Sequence, residues 1–543
     1  MRQIIYQLYN ELKKNTKNRI FFFREGKRLQ KTYAEFSNDI DIALAKLNFL
    51  KQTRGIEHVA LIGPVSYDWI VCDMACIKGG FLTIAVPETL PAEEVECLAK
   101  ETKAGIALLD VSLKQKYSLT NVEVFYFECN GREEKKDFWS LPEAVIDHNE
   151  NLILKKYSIV FSSGTSGKMK RIIRTFPYID KKKEKNLPLH KKIIRNIEHR
   201  RSIWARKNNK LIIFMPFSHS QQRDFFRTAL LRKVDIVLSD QKNCIKHIIT
   251  ERPNLMVSVP LIYEMMASRI SEKIKRFNKT QRFFFKVFNS FRINTLSDRN
   301  WIKKAFSFLL LNDIRKIYGG RADYFVTGSA AISINVLKTF YSVGVKLLQA
   351  YGQTELGILA MSTPKHFRLG SVGKPTNELK ISKDSEILVW YNDWVYSHNK
   401  DVLTVNGEDY IQTGDLGYID KDGYLFITGR KDDIIVLDNG KKIFPENIEL
   451  LLISFDGIED ACVFAKDGYK LHAVLTCAPK ISEPNIRSLV QAANNKLPHH
   501  EQIRAFWIAD TKFSTENGLL TSTFKKKRNA IKEYSLNNKF TTV

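Results

Sequence analysis

Short apolar runs alternate with longer mixed stretches over most of this chain. Each run is rich in β-branched or aromatic residues and is closed by Pro, Gly or a polar residue, which is typical of a buried strand. Stretches with helical spacing lie between the runs, and this alternation predicts an α/β fold of largely parallel sheets covered by helices. The runs that predict strands are residues 58–65, 79–86, 106–110, 157–161, 210–219, 234–240, 254–260, 323–329 and 343–348.

The pattern changes after Arg430. The sequence DDIIVLDNGKKIFP predicts a hairpin around Asn439-Gly440, and Pro445 then favours the start of a helix. Short strands are predicted at 461–466 and 470–478. We therefore expect a large N-terminal domain over residues 1–430 and a small C-terminal α+β domain over 431–543. Such a division agrees with a length of 543 residues, which is too long for one hydrophobic core.

Composition narrows the class of protein. Hydrophobic residues make up 44% of the chain, enough for a well-buried interior, and the absence of any run of eighteen apolar residues predicts no membrane span. The N-terminal sequence lacks the apolar core and cleavage site of a signal peptide. The seven cysteines are scattered without CxxC spacing, which favours reduced thiols in the cytoplasm.

Residues 410–430 contain the most informative pair of motifs. Tyr-x-x-Thr-Gly-Asp is followed by Gly-Arg, so that Asp415 and Arg430 each stand beside a glycine. The carboxylate can accept hydrogen bonds from ribose hydroxyls and the guanidinium can donate to them. The neighbouring glycines allow the backbone to turn sharply or to approach a ligand closely. This pair is a candidate nucleotide site.

A Ser/Thr/Gly loop follows the predicted strand 157–161. Its hydroxyls and backbone N–H groups can surround phosphate oxygens, although its spacing is not that of a Walker loop. A plain polar turn between a strand and a helix explains the same residues. The candidate phosphate loop consists of Ser162, Ser163, Gly164, Thr165, Ser166, Gly167 and Lys168.

The motif YGQTE follows the apolar run 343–348. In it, Tyr351 offers a ring that can stack on a purine, and Thr354 offers a hydroxyl for a phosphate. Glu355 can hold Mg²⁺ together with that phosphate. A turn with an exposed glutamate is the alternative explanation when this motif is considered alone.

The three motifs, in this order, resemble those of the adenylate-forming superfamily, which includes acyl-CoA synthetases, nonribosomal adenylation domains and luciferases. The resemblance extends from about Thr32 to Tyr534. Residues 251–266, 319–333 and 516–528 look similar to segments of the long-chain fatty acyl-CoA synthetases. The resemblance implies ATP-dependent activation of a carboxylic acid to acyl-AMP, with fatty acids preferred and short, medium, long, aryl and hydroxylated acids all left open.

It also implies roles for individual residues of the nucleotide site. The loop 162–168 would hold the β and γ phosphates, and Thr354 would contact the α phosphate while Glu355 binds Mg²⁺. Asp415 and Arg430 would hold the ribose. The adenine site would be formed by Gly328, Ser329 and Ala330, with Tyr351 stacked on the ring and Gly352 and Gln353 beside it.

Four further residues would act on the acyl group or on the domain movement. His219 would pack near the acyl carboxylate, and Lys525 would bridge that carboxylate and the α phosphate. The lysine run 525–527 leaves its register open. Asp432 matches the position of the hinge about which a mobile C-terminal domain rotates, and Gly440 would then approach the thiol tunnel.

Coenzyme A is the expected thiol acceptor, and the phosphopantetheine of an acyl carrier protein is the alternative. A non-catalytic nucleotide-binding relative also remains open, because Met169, Lys170 and Arg171 follow the phosphate loop where most relatives have Pro-Lys-Gly. Methionine leaves the loop less rigid than proline would. The acidic, magnesium-binding and ribose-binding positions are intact, which favours a working enzyme.

The net charge of +26, from 85 Lys and Arg against 59 Asp and Glu, has three possible origins. The first is a proteome that is rich in lysine, and the second is attraction of an acidic partner such as CoA or a carrier protein. The third is peripheral contact of the protein with the inner face of an anionic membrane. Residues 269–304 mix phenylalanines with basic residues, which suits an interfacial helix or a buried aromatic face. Nucleic acid is not expected, because no recognition motif accompanies the charge.

Overall fold

The computed structural model describes most of the chain. The described residues are 2–128, 136–144, 156–163, 169–175, 209–294, 311–322, 324–376, 378–390, 402–405, 408–438, 440–466, 470–479, 481–514, 516–521, 525–536 and 538–543. Side chains at 2–6, 162, 163, 169, 175 and 287–294 are also outside the description. Residues 164–168 of the candidate phosphate loop therefore lie outside the described part.

Helices and strands alternate through the large N-terminal part, as predicted. The helices are α1 (Arg2–Lys14), α2 (Tyr33–Arg54), α3 (Tyr67–Gly79), α4 (Ala92–Glu101), α5 (Ser220–Leu231), α6 (Cys244–Glu251), α7 (Pro260–Lys275), α8 (Lys279–Asn294), α9 (Asn312–Lys316), α10 (Ile334–Ser342), α11 (Pro445–Ile453), α12 (Glu483–Asn494) and α13 (Arg528–Ser535). None of the helices in the described part of the chain is long and apolar enough to cross a membrane.

The strands fall close to the apolar runs of the sequence. They are β1 (Arg19–Arg24), β2 (Lys27–Thr32), β3 (His58–Ile62), β4 (Leu82–Val86), β5 (Ile106–Asp110), β6 (Glu123–Phe127), β7 (Lys156–Ser163), β8 (Met169–Thr175), β9 (Lys210–Ile213), β10 (Asp235–Leu238), β11 (Leu255–Ser258), β12 (Tyr324–Thr327), β13 (Lys346–Gln353), β14 (Gly357–Met361), β15 (Lys374–Pro375), β16 (Leu379–Ile381), β17 (Glu386–Trp390), β18 (Val402–Val405), β19 (Glu408–Ile419), β20 (Leu425–Arg430), β21 (Ile435–Val436), β22 (Lys442–Ile443), β23 (Ile458–Lys466), β24 (Lys470–Cys477), β25 (Ile503–Ile508) and β26 (Thr541–Thr542).

Two mixed sheets form the body of the large part. One has the order β6-β5-β3-β4-β7-β8, and every pair in it is parallel except β7 with β8. The other has the order β15-β14-β13-β12-β11-β9-β10-β1-β2, with parallel pairing from β13 to β1 and antiparallel edges. Helices cover both sheets, and the expectation of an α/β fold with largely parallel sheets is confirmed.

Helix α2 illustrates why the covering helices form where they do. Thr32 accepts a hydrogen bond from the backbone N–H of Glu35, and the Glu35 carboxylate accepts one from the Thr32 backbone in return. This capping box satisfies two free N–H groups at the start of the helix. Gly55 ends the helix with φ +67°, a conformation that costs glycine nothing. The buried face of α2 packs into the same core as β3 and β5.

A third, antiparallel sheet was not predicted from the sequence. It has the order β16-β17-β19-β18, with β20 paired to β19. Its strands carry the Tyr-x-x-Thr-Gly-Asp and Gly-Arg motifs. The period-two pattern is weak here because burial along β19 is irregular and its buried positions include the polar residues Thr413 and Asp415.

The C-terminal residues build a separate core. Helices α11 and α12 pack on the sheet β23-β24-β25-β26 around Ile448, Val463, Leu475 and Phe506. The short pair β21–β22 and the helix that begins at Pro445 agree with the predicted hairpin and helix. Asn439 of the predicted turn lies outside the described residues. The mixed α/β fold with a smaller C-terminal unit is thus the fold expected from the sequence.

Candidate functional site

The hairpin β19–β20 explains why two residues fifteen positions apart act together. Asp415 and Arg430 are directly opposite each other in the antiparallel register. Arg430 Nε lies 3.1 Å from Asp415 Oδ1, and Asp415 is only 7% exposed. A strong pair forms here because cross-strand neighbours in a hairpin are held within side-chain contact distance.

The YGQTE motif reaches the same carboxylate from the end of β13 in the nine-stranded sheet. The Tyr351 hydroxyl donates to Asp415 Oδ2 at 2.8 Å. Gln353 Nε2 donates to the same oxygen at 2.6 Å and to the Thr413 carbonyl at 2.8 Å. Burial, and then the charge of Asp415, hold the pKa of Tyr351 well above its ordinary value. Tyr351 is therefore a neutral hydrogen-bond donor at physiological pH.

Gly352 permits the sharp change of register in this motif. The β13–β14 pairing shifts between Tyr351 and Gly352, and a Cβ at Gly352 would lie 2.1 Å from the Gly357 carbonyl oxygen. No larger residue fits without displacing backbone. Thr354 and Glu355 follow at the turn, and both remain half-exposed.

The candidate adenine segment lies at the end of the neighbouring strand. Gly328, Ser329 and Ala330 follow β12, which pairs in parallel with β13. A Cβ on Gly328 would lie 3.0 Å from the Ala350 carbonyl oxygen, so the glycine allows the two strand ends to come close. Ser329 adopts φ +72°, which turns the chain away from the sheet. The carboxyl ends of β12 and β13 therefore present this segment beside Tyr351.

His219 is the N-terminal cap of α5, shortly after β9. Its Nε2 is buried and has no hydrogen-bond partner among the described residues. Burial, the charge of Lys525 and the charge of Arg223 lower the pKa of His219 to about 4. The imidazole is thus neutral at physiological pH, with a ring nitrogen free to bond a ligand.

The three consecutive lysines of the C-terminal motif have different surroundings. Lys526 Nζ lies 2.9 Å from Glu449 Oε2 and 3.2 Å from Asp460 Oδ1, and it donates to the Ala461 carbonyl at 2.6 Å. Burial lowers the pKa of Lys526, but the two carboxylates outweigh it and raise the pKa overall. The Lys526 ammonium is therefore held by ion pairs within the C-terminal part of the chain.

Lys525 faces the large domain instead. Its backbone is held by Thr521, through an N–H to the Thr521 hydroxyl at 3.0 Å and a carbonyl bonded to the Thr521 N–H at 2.8 Å. Burial and the charge of Arg430 lower the pKa of Lys525, while Asp415 and Glu355 oppose the shift. The Lys525 side chain is exposed to solvent. It is the lysine of this run whose charge acts on the candidate nucleotide residues and on His219.

The candidate phosphate loop connects two strands rather than a strand and a helix. Ser162 pairs with Lys170, and Ser163 pairs with Met169, so β7 and β8 close the loop on both sides. The alternative of a turn between a strand and a helix is therefore wrong. The predicted contacts of Gly164, Thr165, Ser166, Gly167 and Lys168 lie outside the described residues.

The candidate hinge follows β20 directly. Lys431 Nζ lies 3.1 Å from Glu386 Oε2, and its N–H donates to the Gly414 carbonyl at 2.8 Å. Asp432 comes immediately after this anchored residue. Gly440 adopts φ +77° in the turn between β21 and β22, with no neighbouring atom where a Cβ would stand. Asp432 as the hinge stays a prediction.

Metal binding at this site would depend on few protein ligands. Within the described ranges, no group of three His, Cys, Asp or Glu side chains could hold a metal ion. Glu355 supplies one carboxylate and Thr354 one hydroxyl at the same turn. Magnesium is commonly held by one or two carboxylates together with substrate phosphates, so this donor set fits Mg²⁺.

Comparison with known proteins identifies the family. The family model described as AMP-binding enzyme matches residues 10–388, and the model of the AMP-binding enzyme C-terminal domain matches residues 432–534. The chain belongs to the AMP-binding enzyme family. The prediction of an enzyme of the adenylate-forming superfamily is confirmed at this level.

Several relatives of this AMP-binding enzyme have assigned activities. It is 26% identical to a long-chain-fatty-acid–CoA ligase, FadD15, of Mycobacterium bovis, over 92% of this chain and 90% of that protein. The adenylation domain of a Mycobacterium chelonae carboxylate reductase has a TM-score of 0.73 at 16% identity, covering 98% of this chain and 89% of that domain. An anthranilate CoA ligase crystallised with anthranoyl-AMP gives the same TM-score at 19% identity, covering 98% and 96%. The two structures establish the fold.

Some residues of the AMP-binding enzyme's site were missed by sequence reasoning. Glu386 accepts from the Gly414 N–H at 3.0 Å and pairs with Lys431, so it shapes the turn before Asp415. Arg174 donates to the Thr354 carbonyl at 3.3 Å. Neither residue lies in a motif, and only their position in the folded sheets brings them to the site.

Proposed function

We propose that this AMP-binding enzyme activates a fatty acid with ATP, releasing pyrophosphate, and transfers the acyl group to the thiol of coenzyme A. The observation that carries this proposal is the convergence of Lys525, His219 and the Asp415–Arg430 pair. The charges of Arg430, Asp415 and Glu355 shift the pKa of Lys525, and the charge of Lys525 helps to lower the pKa of His219. That arrangement is suited to a reaction in which negative charge collects on a phosphate.

In the first step, a carboxylate oxygen of the acid attacks the α phosphorus of ATP. A bond forms between that oxygen and phosphorus, the bond to the β-phosphate oxygen breaks, and pyrophosphate leaves with the electron pair. Lys525 would neutralise charge between the carboxylate and the α phosphate. The neutral His219 would orient the carboxylate by a hydrogen bond without adding a competing charge. Thr354 would hold the α phosphate, and the loop 162–168 the departing phosphates.

Asp415 and Arg430 would hold the ribose hydroxyls. The hydrogen bonds from Tyr351 and Gln353 fix the Asp415 carboxylate, so it would not need to reorient when the nucleotide binds. Gly328, Ser329, Ala330 and Gly352 would leave room for adenine beside the Tyr351 ring. When bound at Glu355, Mg²⁺ would supply additional positive charge at the phosphates.

In the second step, the thiol sulfur attacks the acyl carbonyl, and the bond to AMP breaks. The thiol proton passes to solvent water, and AMP departs with the electron pair as a phosphate monoester anion. Lys525 and the thiol would need the same face of the acyl group, so the C-terminal domain would rotate about Asp432 between the two steps. Gly440, which has open space around it, would then approach the thiol channel.

The acyl and thiol preferences are the finer parts of the proposal. The relative FadD15 and a human homologue are both named long-chain-fatty-acid–CoA ligases, which supports a long aliphatic acid and CoA. The excess of basic residues also suits the acidic phosphopantetheine carrier, and an acyl carrier protein is the alternative acceptor.

Contact with an anionic membrane has a specific observation in its favour. On α8, Phe283 is 63% exposed and Phe284 is 39% exposed, and residues 279–286 include three basic and no acidic residues. Phe277 and Phe285 pack against the core instead. The segment is thus divided between a buried aromatic side and an exposed aromatic and basic side, which suits an interfacial position.

The test of the main proposal is ATP–pyrophosphate exchange with purified protein, Mg²⁺ and carboxylic acids from acetate to oleate, together with benzoates. Exchange that depends on a long-chain acid would support the proposal and define the acyl class. CoA and a phosphopantetheinylated carrier protein would then be compared as acceptors. Binding of ATP without exchange for any acid would favour a non-catalytic relative.

A further inference from the structure

Arg174 lies where three segments of the candidate site meet. It stands on β8, the strand that leaves the phosphate loop, and its side chain is only 5% exposed. Nη1 donates to the Thr354 carbonyl and to the Ser220 hydroxyl, both at 3.3 Å. Nε donates to the Tyr157 hydroxyl at 3.3 Å, and Nη2 contacts Asp224 Oδ2 at 3.0 Å. One side chain thus joins β7, α5 and the turn after β13.

A guanidinium is suited to such a junction. It is planar, it stays charged, and its donors point in fixed directions, so the groups it bonds are held at fixed relative positions. Ser220 is adjacent to His219, and Thr354 belongs to the predicted phosphate-binding turn. Through Arg174, these two segments are tied to the strand that follows the phosphate loop. A lysine at this position would keep the positive charge but lose the fixed, planar set of N–H donors.

The need to neutralise Asp224 does not by itself explain why Arg174 is buried here. Arg227 Nη2 already lies 2.8 Å from Asp224 Oδ1. Burial raises the pKa of Asp224, but Arg174 and Arg227 outweigh it and lower the pKa overall. Because burying a second cation is costly, its hydrogen bonds to the site segments are the better explanation for Arg174.

The cluster beneath Arg174 carries a surplus of positive charge. Asp73 and Arg223 are fully buried and 3.0 Å apart, and Arg227 lies 3.6 Å from Asp73. Three guanidinium groups and two carboxylates leave one net positive charge in this contact group. The surplus lies under the segments that would bind anionic phosphates, where it favours the anion.

We propose that Arg174 is a positioning residue for the adenylation step. It holds the Thr354 turn and the His219–Ser220 segment in register with the strand of the phosphate loop, without contacting substrate itself. The inference rests on the proposed function for its catalytic consequence. Its structural part, the ordering of two segments by one guanidinium, stands independently.

Arg227 provides a matched control. Both arginines pair with Asp224, and both contact Tyr157, since the Arg227 guanidinium carbon lies 5.4 Å from the Tyr157 ring centroid. Of the two, Arg174 is the one with hydrogen bonds to Thr354 and Ser220 in the described residues. Arg174→Lys and Arg227→Lys therefore perturb the same carboxylate, and only the former should disturb the site segments.

The experiment measures both variants in the full chain by ATP–pyrophosphate exchange with the acid that wild type prefers. We expect Arg174→Lys to lower kcat by about 10²-fold, the effect of a misplacement of roughly 1 Å. The KM for ATP should change by less than about threefold, because the loss would be confined to the transition state. Arg227→Lys should keep a kcat close to wild type.

Amide hydrogen exchange tests the structural part without catalysis. Peptides covering 351–356 and 219–222 should exchange faster in Arg174→Lys than in wild type, and those of Arg227→Lys should not. If wild type activates no acid, the proposed function fails, while this measurement still decides whether Arg174 orders the two segments. The proposal would be overturned if the amide hydrogens of these peptides exchanged at unchanged rates in Arg174→Lys. Equal effects of both substitutions on kcat would overturn it as well.

Discussion

Replacing Lys525 and Lys526 one at a time with methionine should separate catalysis from stability. The two residues are adjacent and chemically identical, but Lys525 acts on the candidate nucleotide site while Lys526 is bound to Glu449 and Asp460. Lys525→Met should strongly reduce acid activation and leave the fold intact. Lys526→Met should destabilise the C-terminal domain.

The magnitudes follow from the surroundings of each ammonium. Losing one group that stabilises transition-state charge costs about 10²–10³ in kcat, so that loss is expected for Lys525→Met. Glu449 is only 1% exposed, but it keeps Arg528 as a second partner in Lys526→Met, with Nη2–Oε2 at 3.1 Å. We therefore expect a loss of about 3 kcal/mol, the lower end for a broken buried pair. For a domain of about 110 residues, this lowers Tm by roughly 13 °C.

The assay combines ATP–pyrophosphate exchange with thermal unfolding followed by circular dichroism. Lys527→Met is the matched control, because Lys527 is exposed, and both its rate and its Tm should remain near wild type. The reasoning would be refuted by a Lys526→Met variant that loses exchange at an unchanged Tm while Lys525→Met stays active. That outcome would move the catalytic role by one residue.

Four other outcomes are expected. Burial lowers the pKa of His219 from 6.5 to about 4, so between these pH values the unfolded chain binds more protons than the folded one. Stability therefore rises with pH in this range. His219→Gln should flatten this part of a curve of Tm against pH. Glu355→Ala should remove the magnesium dependence of exchange, and an unchanged Mg²⁺ titration would refute its role. Asp432→Pro should spare acyl-AMP formation and block thioester formation, as quenched-flow analysis of both products would show. Phe283→Ser should weaken sedimentation with anionic liposomes at an unchanged Tm, whereas Phe285→Ser should lower Tm.

The sequence predicted the positions of the parallel strands well because those strands are buried on both faces. Residues 106–110, for example, are all buried, and a short apolar run after a glycine is typical of such a strand. Strands β19 and β20 were missed because their residues alternate less regularly. The motifs on them were nevertheless recognised, since Asp415 and Arg430 are defined by their chemistry and not by their burial.

The contacts that organise the site could not be predicted from the sequence. Arg174 is separated from Ser220 by 46 positions and from Thr354 by 180, and no local pattern distinguishes it from the many basic residues around it. Its role depends on β8 pairing antiparallel to β7. From the sequence, a helix after the phosphate loop was also open. The pairing of β7 with β8 is long-range information that only the fold supplies.

Lys525 and Lys526 are adjacent, and the geometry of an extended chain points their side chains in opposite directions. The resemblance favoured Lys525 but left its register at risk, because the three side chains of the lysine run are identical. Neighbouring residues in an extended chain project in opposite directions. Lys526 lies opposite Leu520 in an isolated bridge, and its ammonium is held in the C-terminal core by Glu449. Lys525 must then project away from that core, towards Asp415 and Arg430. The carboxylates that bind Lys526 thus determine the direction of Lys525, so the stability of the C-terminal domain and the placement of its candidate catalytic group depend on the same ion pairs.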